Sequence, residues 1–301
     1  MRLLSKAVVA AALLAGAALA QEPEYSDKGA DTCLACHEDE DTLALFRTRH
    51  AIPSDALGPF GAGQLQCEAC HGPGGAHAGR VRRGQERPPI MNFDEDTPVE
   101  MQNGMCLGCH ADDTGAAWHS GPHAARDVAC ADCHSSHVAR DPVLAIATEA
   151  EVCVDCHRRQ KAQALRAFSH PVDDAKMACT SCHAPHGDVV ATSLARATVN
   201  DTCFGCHAEK RGPFLWEHAP AAEDCGLCHA PHGSNHPGML TRRGPLLCQS
   251  CHTQSGHPAV AHDTSGLPAG MPSQFLLGQN CMNCHSQVHG SNHPSGSKLM
   301  R

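Results

Sequence analysis

The chain has 301 residues, a formal net charge of −9 with its histidines neutral, and 20 cysteines. The negative charge disfavours nucleic acid and anionic lipid as partners. Only 3% of the residues are aromatic, and 27 glycines and 20 prolines interrupt the chain, so an ordinary side-chain core would be thin.

Residues 1–20 are predicted to be a cleaved secretory signal peptide. Arg2 and Lys6 precede a short apolar run over residues 7–19, and residues 18–20 have the small-residue pattern of a cleavage site. An uncleaved anchor is the alternative. The run is too short to span a bilayer, and no later stretch reaches 18 apolar residues. We therefore expect export to the periplasm without direct membrane insertion.

Beyond this segment, Cys-x-x-Cys-His occurs ten times and uses every cysteine. The pattern is that of c-type haem attachment, in which two thiols bond the porphyrin and the adjacent imidazole ligates iron. Zinc sites, redox dithiols and disulfides would not require histidine after every second cysteine. We predict ten covalently bound haem c groups, attached to Cys33, Cys36, Cys67, Cys70, Cys106, Cys109, Cys130, Cys133, Cys153, Cys156, Cys179, Cys182, Cys203, Cys206, Cys225, Cys228, Cys248, Cys251, Cys281 and Cys284. The predicted proximal iron ligands are His37, His71, His110, His134, His157, His183, His207, His229, His252 and His285.

Fourteen histidines remain, and ten of them are predicted to be the distal iron ligands. The fourth, sixth and eighth motifs carry a histidine three residues after the proximal one. The third, fifth and seventh carry one 11 to 13 residues after it. A dihaem unit therefore repeats every 45 to 50 residues, which favours an extended array over a globule. The predicted distal ligands are His50, His77, His123, His137, His170, His186, His218, His232, His257 and His289.

Four spare histidines are left unassigned. His123 is preferred over His119 because its spacing to the next motif matches that of His218. The segment His-Gly-Ser-Asn-His-Pro occurs at 232–237 and at 289–294, and the first histidine of each copy is preferred. The unassigned residues are His119, His236, His262 and His293, of which the last two compete with His257 and His289 respectively. Which haem each distal histidine serves stays open.

The predicted fold class is a multihaem cytochrome c, in which short α-helices and loops wrap around an elongated chain of ten haems, with almost no β-structure. The pairs 31–32 and 201–202, both Asp-Thr, are predicted N-caps, and a helix is predicted over 142–152. Residues 79–104 and 256–278 are predicted loops.

The predicted chemistry is electron transfer and not catalysis. Two axial histidines leave a haem iron no open position for a substrate. The chain has no Cys-x-x-Cys-Lys variant, and Tyr25 is its one tyrosine. An enzyme that reduces small nitrogen or sulfur oxides is the alternative, and it would need a haem without a distal ligand.

From about Asp31 to Arg301 the chain resembles the periplasmic decahaem cytochromes of the MtrA/DmsE type, components of porin–cytochrome conduits. Residues 65–73, 200–220 and 284–294 carry the resemblance. It implies bis-histidine haems in two pentahaem-like halves, 21–165 with haems 1–5 and 166–301 with haems 6–10. It also favours His257 over His262.

The resemblance further implies a wire inside an outer-membrane β-barrel, so that the protein is periplasmic and associated with the outer membrane through a partner. The implied partners are a porin-like barrel, an outer-surface cytochrome or extracellular reductase, and an inner-membrane or periplasmic cytochrome. A soluble periplasmic electron shuttle is the alternative, because the haem pattern alone suits both.

Overall fold

The structure, a computed structural model, describes residues 24–112, 116–172, 174–187, 193–252 and 280–300. The predicted signal peptide, the predicted loop 256–278, and His257 and His262 within it lie outside these residues. The described chain consists of short helices, turns and loops, and the prediction of almost no β-structure is confirmed.

The helices of the described residues are short, and α5 is the longest. In chain order they are α1 Ala30–Leu34, α2 Glu40–Ala44, α3 Glu68–His71, α4 Gly75–Ala78, α5 Val99–His110, α6 Ala116–Trp118, α7 Glu149–Cys156, α8 Arg158–Ala164, α9 Val199–Phe204, α10 Ala219–Glu223 and α11 Gly244–Gln249. Turns of 3-10 helix lie between them, at Leu45–Arg47, Arg49–Ala51, Ala124–Arg126, Cys130–Asp132, Pro142–Leu144, Cys179–Ser181, Ala208–Lys210, Cys225–Leu227, Pro237–Met239 and Cys281–Asn283.

The haem-attachment motifs adopt two alternating local structures. In the five odd-numbered motifs the first cysteine lies inside an α-helix, namely α1, α5, α7, α9 or α11. In the fourth, sixth, eighth and tenth motifs the first cysteine begins a 3-10 turn, and in the second motif it directly precedes α3. The alternation between two kinds of motif in the sequence is therefore also an alternation in backbone structure.

The predicted helix starts are displaced. Helix α1 begins one residue before Asp31, after Gly29. Helix α9 begins at Val199 because Thr198 caps it: the Thr198 hydroxyl accepts from the backbone N–H of Asp201 and donates to its carboxylate. The prediction of an N-cap at Asp201 was wrong because a stronger capping pair starts three residues earlier.

The predicted helix over 142–152 is split. Pro142–Leu144 forms a single 3-10 turn after Asp141, which accepts from the backbone N–H of Val143, and α7 starts only at Glu149. The Thr148 hydroxyl donates to the Pro142 carbonyl at 2.7 Å and closes the segment between them. The predicted loop 79–104 likewise ends early, at the start of α5.

A two-stranded antiparallel sheet links distant parts of the chain. Strand β1, Trp216–Glu217, pairs with β2, Gly290–Ser291. An isolated antiparallel bridge between Phe168 and Ser234 repeats this arrangement in the preceding unit. In both places a copy of His-Gly-Ser-Asn-His-Pro pairs with the residues just before a predicted distal histidine. The two copies therefore make equivalent backbone contacts between distant segments.

The described residues bury few apolar side chains, and those are Ala30, Leu45, Trp118, Ala129 and Ala178. Packing between side chains alone therefore does not hold this chain together. No helix among the described residues is long and apolar enough to cross a membrane.

Candidate haem-binding sites

Each attachment motif is one helical turn. In nine motifs the backbone N–H of the proximal histidine donates to the carbonyl of the first cysteine, at 2.8–3.0 Å. Residues at positions i, i+3 and i+4 of such a turn face one side. The local sequence thus brings two thiols and an imidazole together, as covalent haem attachment requires.

Among the residues that the structure describes, nine proximal histidines face a second imidazole, with ring centres 5.8–6.4 Å apart. A metal held between two imidazoles by bonds of about 2 Å would separate the ring centres by roughly 6 Å. The spacing therefore fits an iron between each pair. The pairs are His37–His77, His110–His50, His71–His137, His157–His123, His134–His186, His207–His170, His183–His232, His252–His218 and His229–His289.

The hydrogen bonds of the rings indicate which nitrogen is available to a metal. Nδ1 lies 2.7–3.0 Å from a carbonyl or carboxylate oxygen in His71, His77, His123, His134, His170, His218, His229 and His285. Because these oxygens only accept, Nδ1 must carry the proton, which leaves Nε2 free as a ligand.

His293 has the opposite arrangement. Its Nδ1 accepts from the backbone N–H of Ser295 at 3.2 Å, so the proton belongs on Nε2. The ring of His289, in contrast, has its centre 6.1 Å from that of His229, with the two ring planes 11° apart. Within the described residues, the imidazole pairs include neither His293 nor the other two left-out histidines there, His119 and His236. The geometry thus supports the predicted choices, while His257 and His262 lie outside the described residues.

The pairing follows a rule that the sequence left open. A histidine trailing an even-numbered motif faces the proximal histidine two motifs earlier, as His186 of the sixth motif faces His134 of the fourth. A histidine following an odd-numbered motif faces the proximal one two motifs later, as His170 faces His207. His77, which faces His37 of the first motif, departs from this rule at the end of the row. The segments that carry these histidines are therefore interleaved: each reaches past its neighbouring motif to the one beyond it.

The histidines that follow odd-numbered motifs also hydrogen-bond to the segments that carry the trailing histidines of even-numbered motifs. The Nδ1 atoms of His123, His170 and His218 donate to a backbone carbonyl at 2.8–2.9 Å, and in each case this carbonyl directly precedes the second trailing histidine further along the chain. These carbonyls belong to Pro185, Pro231 and Val288. One distal histidine thus orients the segment that carries another.

A glycine follows each of these trailing histidines, and the fold requires it. Gly187, Gly233 and Gly290 have φ of 103°, 128° and 140°, a region that side chains disfavour. A Cβ on Gly233 would collide with the backbone carbonyl of Gln163. The trailing segment can therefore lie directly against the preceding unit.

Consecutive motifs meet alternately through their first and second cysteines. The thiols of the first cysteines lie close enough to shift each other's pKa in the pairs Cys33–Cys67, Cys106–Cys130, Cys153–Cys179, Cys203–Cys225 and Cys248–Cys281. Burial raises the thiol pKa of Cys70, Cys133, Cys182 and Cys228, and a nearby second cysteine of the next motif adds to the rise. These neighbours are Cys109, Cys156, Cys206 and Cys251. All ten motifs therefore form one row in sequence order.

Buried polar side chains hold the members of a pair together. Asn200, in the helix of the seventh motif, accepts from the backbone N–H of Cys225 in the eighth at 2.7 Å. Its amide donates to the carbonyls of Ala221 and Ala222. Asn103 makes the same bond to Cys130 at 2.7 Å. Sequence reasoning missed these residues, although an asparagine stands three positions before the first cysteine in both motifs.

Glu149 plays the corresponding role between the fifth and sixth motifs. It is 4% exposed, and its carboxylate accepts from the backbone N–H and the hydroxyl of Thr180 at 2.8 and 2.9 Å. Glu149 also lies close to the thiols of Cys153 and Cys179. Because both cysteines belong to attachment motifs, we interpret this group as part of the haem row and not as a separate metal site.

Known proteins share these patterns. The family described as a doubled CXXCH motif matches residues 170–212 and 218–257, and the family of NrfB-like c-type cytochromes matches residues 67–152. The multiheme cytochrome MtrA of Shewanella baltica is 48% identical over 284 residues, which are 93% of this chain and 84% of that protein. The cytochrome c-type protein NrfB of Escherichia coli O6:H1 is 31% identical over 43% of this chain and 65% of its own. The high-molecular-weight cytochrome c of Nitratidesulfovibrio vulgaris is 25% identical over 70% of this chain and 36% of its own.

Proposed function

Because this chain belongs to the multihaem c-type electron-transfer cytochromes of the MtrA type, we propose that it is a ten-haem wire between the periplasm and the cell exterior. It works inside an outer-membrane β-barrel. The observation that carries the proposal is the series of imidazole pairs at 5.8–6.4 Å, which serves nine of the ten motifs.

The residues of the motifs fit haem c, since two thiols and one imidazole converge in each and, in nine of them, a second imidazole stands at the right distance. Bound haem supplies a one-electron couple whose potential the axial ligands and burial set. The proximal and distal histidines occupy both axial positions, exclude substrate and keep the ligand set constant. His257 is the proposed distal ligand of the tenth motif, because the other nine predicted distal histidines each face another motif.

The order of the row supports conduction along the whole chain. The alternating cysteine contacts place each motif next to its sequence neighbours, so no motif is isolated. The pair His134–His186 and the bonds from Glu149 to Thr180 both cross residue 165. The row therefore runs without interruption between the two proposed pentahaem-like halves, 21–165 and 166–301.

The proposed location is the periplasm, at the outer membrane, with the chain in the lumen of a porin-like barrel. The predicted signal peptide supports export, and the likeness to MtrA over 93% of the chain supports the conduit. Large barrels have polar interiors that suit a charged plug. One end would exchange electrons with an inner-membrane or periplasmic cytochrome, the other with an outer-surface cytochrome or extracellular reductase.

Reconstitution tests the conduit. Liposomes with an enclosed electron acceptor receive the barrel, the cytochrome or both, and reductant is added outside. We expect fast reduction only with both. A C203S/C206S variant, which lacks the seventh attachment site, should slow transfer strongly, whereas H236A should conduct like the unmodified protein. Equal rates with and without the cytochrome would refute the conduit.

A soluble periplasmic shuttle is the second candidate. The match of residues 67–152 to NrfB-like cytochromes favours it, because those residues contain only part of the row of motifs. A shuttle would exchange electrons with soluble donors at an undiminished rate and give no transfer across barrel-containing liposomes. The same experiment therefore separates the two candidates.

A further inference from the structure

The proximal histidines of four motifs hydrogen-bond through Nδ1 to two kinds of oxygen in the described residues. His71, His229 and His285 donate from Nδ1 to the backbone carbonyls of Met91, Gly238 and Lys298, at 2.7–3.0 Å. His134, the proximal histidine of the fourth motif, instead lies 2.7 Å from the Asp141 carboxylate.

The protein fixes this carboxylate firmly. The side chain of Asp141 is 13% exposed. Its Oδ1 accepts from the backbone N–H of Val143 at 3.3 Å, and Pro142 sets the direction of the chain between them. Its Oδ2 is thereby aimed at the imidazole. By comparison, Glu209 lies 3.8 Å from His207, too far for a hydrogen bond, and both side chains are more than half exposed, so water screens that pair.

A carboxylate acts on a metal-bound imidazole more strongly than a carbonyl does. It pulls on the Nδ1 proton, makes the ring a more basic ligand and adds a full negative charge nearby. Both effects stabilise the oxidised iron relative to the reduced one, because the oxidised iron carries one more positive charge. Hydrogen bonds to the axial ligands are a recognised determinant of haem potential.

We infer that Asp141 is a positioning residue that lowers the redox potential of the fourth haem below that of haems whose proximal histidine donates to a backbone carbonyl. This rests on the proposed function, since it needs His134 and His186 as iron ligands. The row then contains a low-potential position within its first half, which electrons must cross in either direction.

The test uses the ten-haem protein with D141N and D141S. Asparagine and serine are both good N-cap residues, so either can still accept from Val143 while removing the charge. Spectroelectrochemistry should show one haem, a tenth of the total absorbance change, moving to higher potential. We expect about a tenfold change in its ratio of oxidised to reduced iron, which is about 59 mV for one electron.

D132N is the matched control. Asp132 belongs to the same motif, but its carboxylate accepts from the backbone N–H of Ala129 at 2.7 Å and does not contact His134. D132N should therefore move the potential clearly less than D141N. Equal shifts in both variants, or no shift in D141N and D141S, would overturn the inference and leave Asp141 with a capping role only.

Two measurements separate this inference from the proposed ligation. Intact mass gives the haem count, and electron paramagnetic resonance shows whether every iron is low-spin. If the unmodified protein lacks ten low-spin haems, the ligation itself fails. If D141N keeps them and its potentials are unchanged, only the role of Asp141 is refuted.

Discussion

Replacing Asn200 by alanine should loosen the contact between the seventh and eighth motifs. Asn200 is 8% exposed and makes three hydrogen bonds across this contact. Ala222 is exposed, so water can replace the Asn200 amide as the donor to its carbonyl. The backbone N–H of the half-buried Cys225, in contrast, loses its acceptor. An unsatisfied buried group costs about 1–3 kcal/mol, which is about a 5- to 150-fold change in the equilibrium of local opening.

Hydrogen exchange of the ten-haem protein measures this opening directly. The segment 221–229 should exchange about 5 to 150 times faster in N200A, with the haem content unchanged by mass. N103A should show the same effect around Cys130 and leave 221–229 unaffected. N292A is the exposed control, since Asn292 accepts from the backbone N–H of Leu215 at 2.8 Å, far from the contact between the seventh and eighth motifs in sequence. Unchanged exchange of 221–229 in N200A, or an equal increase throughout the chain, would refute the role of this side chain.

Replacing His170 by alanine should open one axial position in the seventh haem and give one high-spin ferric signal per molecule. The control H236A should give no such signal. An H170A variant whose haems all stay low-spin would contradict the pairing with His207. The secreted protein should carry ten haems by intact mass, and nine or fewer from a maturation-competent host would contradict the full set. G233A should lose at least about 1–3 kcal/mol locally and weaken ligation by His232, because the added Cβ meets the Gln163 carbonyl at a strained φ. The test is a high-spin fraction that rises on mild heating, and G84A, at an open position with positive φ, is its control.

The attachment residues could be predicted because the information is local. Two cysteines and a histidine within five residues form one helical turn, so the motif specifies its own geometry. The spacing of the trailing histidines also predicted the two kinds of motif. The absence of extended β-structure followed in the same way, from the lack of alternating β-branched segments.

The partners of the distal histidines could not be read from the sequence. His186 is close in sequence to His183, yet its ring faces His134, two motifs earlier. Spacing predicts that a ligand is present, but packing between distant segments selects the proximal histidine that it faces. The helix starts failed for a related reason: Thr198 and Asp201 compete for the same role, and only the hydrogen bonds reveal which residue is the cap.

The interleaved segments also set an order of maturation. A chain exported from its N-terminus delivers His170 ahead of the seventh motif, so the second ligand is already present when that motif acquires its haem. The fourth motif has to wait for His186, which emerges only after two further motifs. With the proposed ligands, newly attached irons at the first, second, fourth, sixth and eighth positions would therefore pass through a period with one side open to small molecules such as nitric oxide or cyanide. Inhibition of maturation by such molecules would fall on these positions, although full axial ligation would leave the finished protein without such an opening.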